Sequence, residues 1–203
     1  MDIEIGYYPK KYYLKSPTYT GLFPFAFDVD IPYVLEFGNI YLPTENNEWI
    51  FELIRNINGF PLFFCLESTI IQFEENYRDL IKYGVKLDKI NMNEQHVVSL
   101  IYVENLEQLQ KVFPDLILYS CNGWNVLWST NKNVFKIQKK VWLEDSEVKD
   151  TVSFEIEKGI TVFWLGYDVN NIAVLSANDI FSTFENIRKV LPKSANFVFE
   201  NYK

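Results

Sequence analysis

The chain has 203 residues, of which 48% are hydrophobic and 17% aromatic, and its formal net charge is −8. A chain of this length can bury a core that is stable without metals or disulfides, and its acidity argues against binding to duplex nucleic acid, which requires clustered lysine and arginine. No apolar run reaches the roughly 20 residues that cross a bilayer. We therefore expect a single cytoplasmic domain, residues 1–203, that does not bind membranes.

The N-terminal segment has an unusual composition. Residues 1–32 contain Pro9, Pro17, Pro24 and Pro32, with tyrosines and lysines between them. Proline lacks a backbone N–H and interrupts long helices. The segment is therefore predicted to form an irregular Tyr/Pro-rich arm, or short edge strands, over the core.

Hydrophobic periodicity predicts alternating strands and helices in the first half of the chain. Apolar residues at helical spacing indicate helices, and continuous or alternating apolar runs indicate strands. The predicted elements are a strand at 33–42, a helix at 45–57, a strand at 61–68, a helix at 69–83 and, after a polar connection, a strand at 96–103.

The second half of the chain is predicted to be richer in strands. A short helix at 104–113 is expected to end at Pro114, with a strand at 116–121 after it. The step Lys158-Gly159 is expected to form a tight hairpin between the last two strands of a group of four. The other predicted elements are strands at 125–130, 133–142, 151–157, 160–167 and 172–175, a helix at 178–191 and a strand at 196–199. Together these elements predict an α+β fold with a mixed, largely antiparallel sheet and three or four helices packed against it.

Known catalytic and cofactor-binding motifs are missing from the sequence. His96 is the only histidine, which excludes metal sites that need two imidazoles, and neither GxSxG nor a glycine-rich phosphate loop occurs. Cys65 and Cys121 have no metal-binding spacing, so we expect them to be buried, reduced thiols. We therefore predict no catalytic residue and no cofactor, and an enzymatic function is less favoured than a non-enzymatic one.

One acidic pair leaves an enzymatic alternative open. Asp28 and Asp30 form a DxD pattern between apolar runs. Hard carboxylate oxygens suit Mg²⁺ or Mn²⁺, so this pair is the candidate metal site of a carboxylate- and metal-dependent enzyme.

Five residues are predicted to contribute to a partner-binding surface. Glu74, Glu75 and Asp79 lie on the outer side of the second predicted helix. Trp124 and Trp128 are four residues apart on a predicted strand and therefore share one face of it. That face is either an exposed aromatic platform for a partner or part of the core.

The small, acidic, aromatic-rich and motif-free sequence resembles bacterial immunity proteins and phage-encoded inhibitors. The resemblance implies a non-enzymatic protein-binding module that neutralises a basic protein, such as a bacterial toxin or a host or phage defence enzyme. An acidic surface accelerates encounter with a basic partner, and aromatic anchors slow dissociation. A structural component of a larger assembly is the remaining alternative.

Overall fold

The computed structural model describes residues 2–13, 23–27, 30–43, 47–93, 96–141 and 148–201. Strands and helices are numbered in chain order within these ranges. The strands are β1 (Asp2–Tyr7), β2 (Ala26–Phe27), β3 (Tyr33–Gly38), β4 (Leu62–Thr69), β5 (Lys86–Met92), β6 (His96–Val103), β7 (Val126–Ser129), β8 (Phe135–Val141), β9 (Val148–Phe154), β10 (Thr161–Leu165), β11 (Ile172–Ser176) and β12 (Asn196–Glu200). The α-helices are α1 (Glu48–Asn56), α2 (Ile70–Ile81), α3 (Leu106–Cys121) and α4 (Phe184–Arg188).

The strands form two sheets. The larger has nine strands in the order β12-β1-β3-β11-β10-β7-β4-β6-β5, and the smaller has three in the order β2-β9-β8. Most neighbours are antiparallel, while β1 pairs with β12, and β2 with β9, in parallel. The predicted α+β class, with a mixed, largely antiparallel sheet and three or four helices, is therefore confirmed.

The large sheet is covered on both faces over its central strands. On one face, side chains such as Phe64, Trp128 and Phe163 pack against the helices. On the other face, residues including Cys65 and Trp164 pack against the small sheet, residues 23–27 and Ile31. Because both faces are buried, β7, β10 and β11 are buried at every position, so apolar residues occur on both faces rather than alternating with polar ones.

The first two helices occur where the sequence predicts them, although α1 begins at Glu48, three residues after its predicted start at 45. α1 buries an apolar stripe that includes Trp49, Ile50 and Leu53. α2 begins with a capping box, in which the Thr69 hydroxyl accepts from the Gln72 backbone N–H and the Gln72 side chain accepts from the Thr69 N–H. This cap fixes the point where β4 turns into α2.

Helix α3 is longer than predicted. Pro114 lies inside the helix, and the segment 116–121, which we predicted to be a strand, continues it to Cys121. Proline removes one intrahelical hydrogen bond. The apolar residues Leu109, Val112, Phe113, Leu116 and Ile117 nevertheless keep helical spacing across it, and all of them are buried. Burial of this stripe outweighs the lost hydrogen bond.

Three further predictions are corrected by the strand pairing. β9 and β10 belong to different sheets, so Lys158-Gly159 is a turn between sheets and not a hairpin, although Gly159 does adopt a φ of 83°. Residues 86–92, predicted as a polar connection, form the edge strand β5. Residues 14–22 and 28–29 of the predicted arm at 1–32 lie outside the described residues; of the rest, β2 is an edge strand of the small sheet, whereas β1 lies inside the large sheet between β12 and β3.

The last predicted helix, at 178–191, is broken into two short pieces. A 3₁₀ turn covers Asp179–Phe181 and α4 follows it. Asn178 and Thr183 each accept a backbone N–H through their side chains, at 3.0 and 3.2 Å, so each starts its own helical segment.

Trp128 is at the centre of the helix-side core. Its ring stacks on Phe163, with centroids 5.0 Å apart and planes 5° from parallel, and it lies 5.6 Å from the Phe64 ring. The residue is only 2% exposed. Truncation would therefore leave a large cavity between strands β4, β7 and β10.

We predict that Trp128→Ala lowers the free energy of unfolding by about 3–5 kcal/mol, the usual cost of removing a large buried aromatic ring. Urea unfolding followed by circular dichroism measures the change. Trp124→Ala is the matched control, and it should cost much less because Trp124 is only half-buried. Equal destabilisation by both variants would contradict this assignment of Trp128 to the core.

Candidate functional site

Polar and aromatic side chains gather at one end of the large sheet. Strand pairing places the ends of five strands there. Phe37 of β3 is aligned with Ile172 of β11, and Val126 of β7 is aligned with Leu165 of β10 on one side and Leu66 of β4 on the other. We call this surface the loop end, and it comprises Glu36, Tyr41, Glu67, His96, Trp124, Asn125, Tyr167 and Asn171.

A small cleft of about 150 Å³ lies at the loop end beside the start of α2. The Glu67 carboxylate lines it, accepts a hydrogen bond from the Asn125 amide at 3.1 Å, and lies 3.8 Å from the His96 Nδ1. Trp124 forms another wall and stacks on Tyr119, with ring centroids 5.2 Å apart. The buried Ser68 hydroxyl also lines the cleft, and it has no hydrogen-bond partner among the described residues.

A second, wider depression of about 500 Å³ lies along the ends of β3 and β11. Here the Glu36 carboxylate accepts hydrogen bonds from the Asn171 amide, at 2.9 Å, and from the Tyr8 hydroxyl. Tyr41 stands at its rim, 50% exposed. Each depression thus combines a carboxylate oriented by an asparagine with at least one aromatic side chain.

The turn between β10 and β11 separates the two depressions and has a strained backbone. Asp168 and Val169 both adopt positive φ, 57° and 49°, a region that β-branched residues strongly disfavour. Val169 is held there because its side chain is buried and its carbonyl accepts the Leu42 N–H at 3.2 Å. Conformations of this kind cluster at functional sites.

Gly166 and Tyr167 are the first residues of this turn. A Cβ at position 166 would collide with the Asn171 side chain, so only glycine leaves Asn171 free to reach Glu36. Tyr167 is 51% exposed, and its ring meets Trp164 edge-on at 5.4 Å. Burial of the hydroxyl, and secondarily the Glu67 carboxylate, raises the pKa of Tyr167.

The two loop-end carboxylates are too far apart to act as a catalytic pair. Glu36 on β3 and Glu67 on β4 are separated by four inter-strand spacings, or about 19 Å. General acid and base carboxylates in glycosidases are about 5–10 Å apart. The geometry is that of two polar depressions on either side of an exposed tyrosine.

Four of the five predicted partner-binding residues are accessible, and one is not. Glu74, Glu75 and Asp79 are exposed on α2, and Trp124 lines the cleft that the first turn of α2 also lines. Trp128 is buried, so its predicted contribution to a partner surface is corrected. The pair does not share an exposed strand face, because β7 begins only at Val126 and its helix-side residues face the core.

Tyr119 of α3 lies behind Trp124 at the cleft, and the pKa of its hydroxyl is affected by a carboxylate on α2. Its ring stacks on Trp124, and the carboxylates of Asp115 and Asp79 add to the effect of burial in raising the pKa of its hydroxyl. Asp79 is also paired with Lys82 at 3.2 Å, whereas Glu74 and Glu75 have no ion pair with any other described residue.

The candidate metal pair is only partly described. Asp28 lies outside the described residues. The Asp30 carboxylate binds the Lys10 ammonium through both oxygens, at 2.9 and 3.0 Å, which competes with any cation for the same oxygens. Across the described ranges, no three His, Cys, Asp or Glu residues are grouped closely enough to hold a metal ion.

Apart from Trp124, the loop-end residues were not predicted as site residues from the sequence. Glu36, Glu67 and Asn125 are single polar residues next to apolar strand residues, and nothing local distinguishes them from other strand ends. The run Gly166-Tyr-Asp-Val-Asn-Asn171 does contain turn-forming residues, and this signal could have identified the strained turn.

Comparison of the chain with family models, with curated proteins and with solved structures found no match. In the part of the chain that the structure describes, no helix combines the length and hydropathy needed to span a membrane.

We predict that neither cysteine reacts quickly with thiol reagents in the folded protein. Cys65 is fully buried, and burial raises the pKa of its thiol, while Cys121 is half-buried and its pKa is raised by burial and by the Asp168 carboxylate. Mass spectrometry after alkylation should detect slow labelling of Cys121 alone in buffer, and labelling of both in urea. The Cys121→Ser variant should stay unlabelled until it unfolds, and rapid native labelling of Cys65 would contradict the fold.

Proposed function

We propose that the protein is a non-enzymatic binding module that recognises a basic protein through the loop end and the exposed side of α2. It would act as an acidic inhibitor or immunity protein for that partner. The observation that carries the proposal is the juxtaposition, on one end of a rigid sheet, of exposed aromatic rings with oriented carboxylates.

The aromatic side chains are suited to anchor a partner. Tyr41 and Tyr167 are about half exposed, and Trp124 presents one ring face while its other face stacks on Tyr119. Tyrosine and tryptophan are enriched among residues that dominate binding energy, since they bury large areas and lose little side-chain entropy.

The charges favour a basic partner over an acidic or neutral one. Glu36 and Glu67 are oriented by asparagine amides inside the depressions, and Glu74 and Glu75 extend the negative surface along α2. A lysine or arginine of the partner could contact a carboxylate through its charged end and an aromatic face through its apolar stem. The overall charge of −8 adds long-range attraction.

The strained turn fits a preformed binding surface. It holds Tyr167 in place before any partner arrives, which lowers the entropy lost on association. Rigid presentation of an aromatic anchor between two carboxylate-lined depressions needs no proton transfer and no metal.

We predict that reversing the charges on α2, in Glu74→Lys/Glu75→Lys, slows association with the partner and weakens its dependence on salt, because these residues contribute to electrostatic steering. The partner is first captured from a cell lysate at low salt, identified, and purified. Surface plasmon resonance at several ionic strengths then measures the rates. Glu157→Lys/Glu185→Lys is the matched control, since it makes the same change of charge at exposed sites elsewhere.

Equal slowing by the test and control variants would show that only net charge matters and would remove α2 from the interface. A captured partner that is acidic, or whose binding is unaffected by salt, would contradict the proposed function itself.

The aromatic side chains that anchor the partner should affect the dissociation rate rather than the association rate. We predict that Tyr167→Ala and Trp124→Ala each raise the dissociation rate by at least about 30-fold, corresponding to the roughly 2 kcal/mol that defines a binding hot spot, and leave the association rate nearly unchanged. The same sensor experiment gives both rates. Unfolding curves check that the variants are folded, and an unchanged dissociation rate in both would exclude the loop end as the contact surface.

A further inference from the structure

The two edges of the nine-stranded sheet differ in how they are protected. β5 forms one edge and carries Lys86, Asp88 and Lys89, and its register with β6 shifts between Lys89 and Asn91. Charged residues, lysine above all, and register irregularities are the usual devices that stop an edge strand from pairing with another chain. This edge is therefore closed to strand addition.

The opposite edge, β12, lacks most of these devices, and its one charged residue, Glu200, is the last of the strand. Its residues, Asn196-Phe-Val-Phe-Glu200, include no lysine, arginine or proline, and its pairing with β1 is regular over all five positions. No described strand pairs with its outer side. Val198 is 39% exposed, and Phe197 and Phe199 are half-buried against the helix layer. An apolar strand with a free row of backbone N–H and C=O groups is a template for another strand.

The sequence of β12 indicates that the strand added to this edge would be β12 of a second copy of the chain. The pattern polar-Phe-Val-Phe-polar reads the same in both directions. If a second copy of β12 pairs with it antiparallel about a two-fold axis at Val198, then Phe197 lies opposite Phe199 of the second copy and Val198 lies opposite Val198 of the second copy. Asn196 then lies opposite Glu200 of the second copy, so no like charges face each other.

We propose that two copies of the protein associate through β12 and form one continuous sheet of eighteen strands. Self-complementary contacts about a two-fold axis are the commonest basis of homodimers. Paired aromatic and β-branched residues facing each other across antiparallel strands stabilise such a contact. Phe199 is already fixed for it, because its ring packs on Phe184 at 4.8 Å and is covered by the Arg188 guanidinium at 4.4 Å.

The part of the loop end that contains the Glu67 cleft stays free in this dimer. The cleft at Glu67 lies beside β4, β6 and β7, on the far half of the sheet from β12. A dimer would therefore carry two copies of that cleft on separate halves of the joined sheet, and the pairing does not depend on the proposed partner.

Sedimentation velocity of the purified protein over a range of concentrations tests the proposal. The expected result is a species of twice the 24.0 kDa chain mass that dissociates on dilution. Val198→Lys should shift the protein to monomer, because it places two ammonium groups opposite each other at the axis. Val148→Lys is the matched control, since Val148 is 61% exposed on β9 of the other sheet, and it should leave the dimer intact.

Disulfide trapping tests the register. In a Cys121→Ser background, Val198→Cys should cross-link to itself on mild oxidation, whereas Asn196→Cys should not, because Asn196 faces Glu200 of the second copy. A mixture of Asn196→Cys and Glu200→Cys chains should cross-link in pairs.

Three results would overturn the proposal: a monomer at every concentration, equal dissociation of the Val198→Lys and Val148→Lys variants, or a dimer that persists in Val198→Lys. Self-cross-linking of Asn196→Cys as strong as that of Val198→Cys would refute the register centred on Val198.

Discussion

The need to cover both faces of one broad sheet governs this structure. A nine-stranded sheet with apolar residues on both faces is stable only if each face is shielded from water. The helices shield one face, and the small sheet, residues 23–27 and Ile31 shield the other. The high aromatic content follows from this arrangement, because large flat rings such as Trp128 and Phe163 fill the space between layers efficiently.

Because both faces of the large sheet are covered, the surfaces at which the protein can contact other molecules are limited. The two faces of the central strands are occupied, which leaves the strand ends, the outer side of α2 and the sheet edges. Of these, the loop end has oriented carboxylates, exposed tyrosines and a strained turn, and β12 has an unprotected apolar edge. The surface proposed for recognition and the edge proposed for self-association therefore lie on different parts of the molecule.

The sequence predicts the fold class and most elements, and its failures have physical causes. Residues 116–121 are continuously apolar, a pattern shared by buried strands and buried helices, and only the spacing back to Leu109 reveals α3. Trp124 and Trp128 share a strand spacing, but β7 begins between them, so one is core and the other lines a cleft. Glu36 and Glu67 could not be associated with one surface, because their common position at the loop end depends on the order of five strands.

That strand order has a consequence for folding. In one half of the sheet, the N-terminal strands β1 and β3 lie side by side between the C-terminal strands β12 and β11. Contacts between residues so distant in sequence require large loops to close first, which slows folding. During synthesis, β1 and β3 therefore lack the strands β12 and β11 that pair with their outer sides until those C-terminal strands have been made. A partly made chain with unpaired strand edges is prone to aggregation.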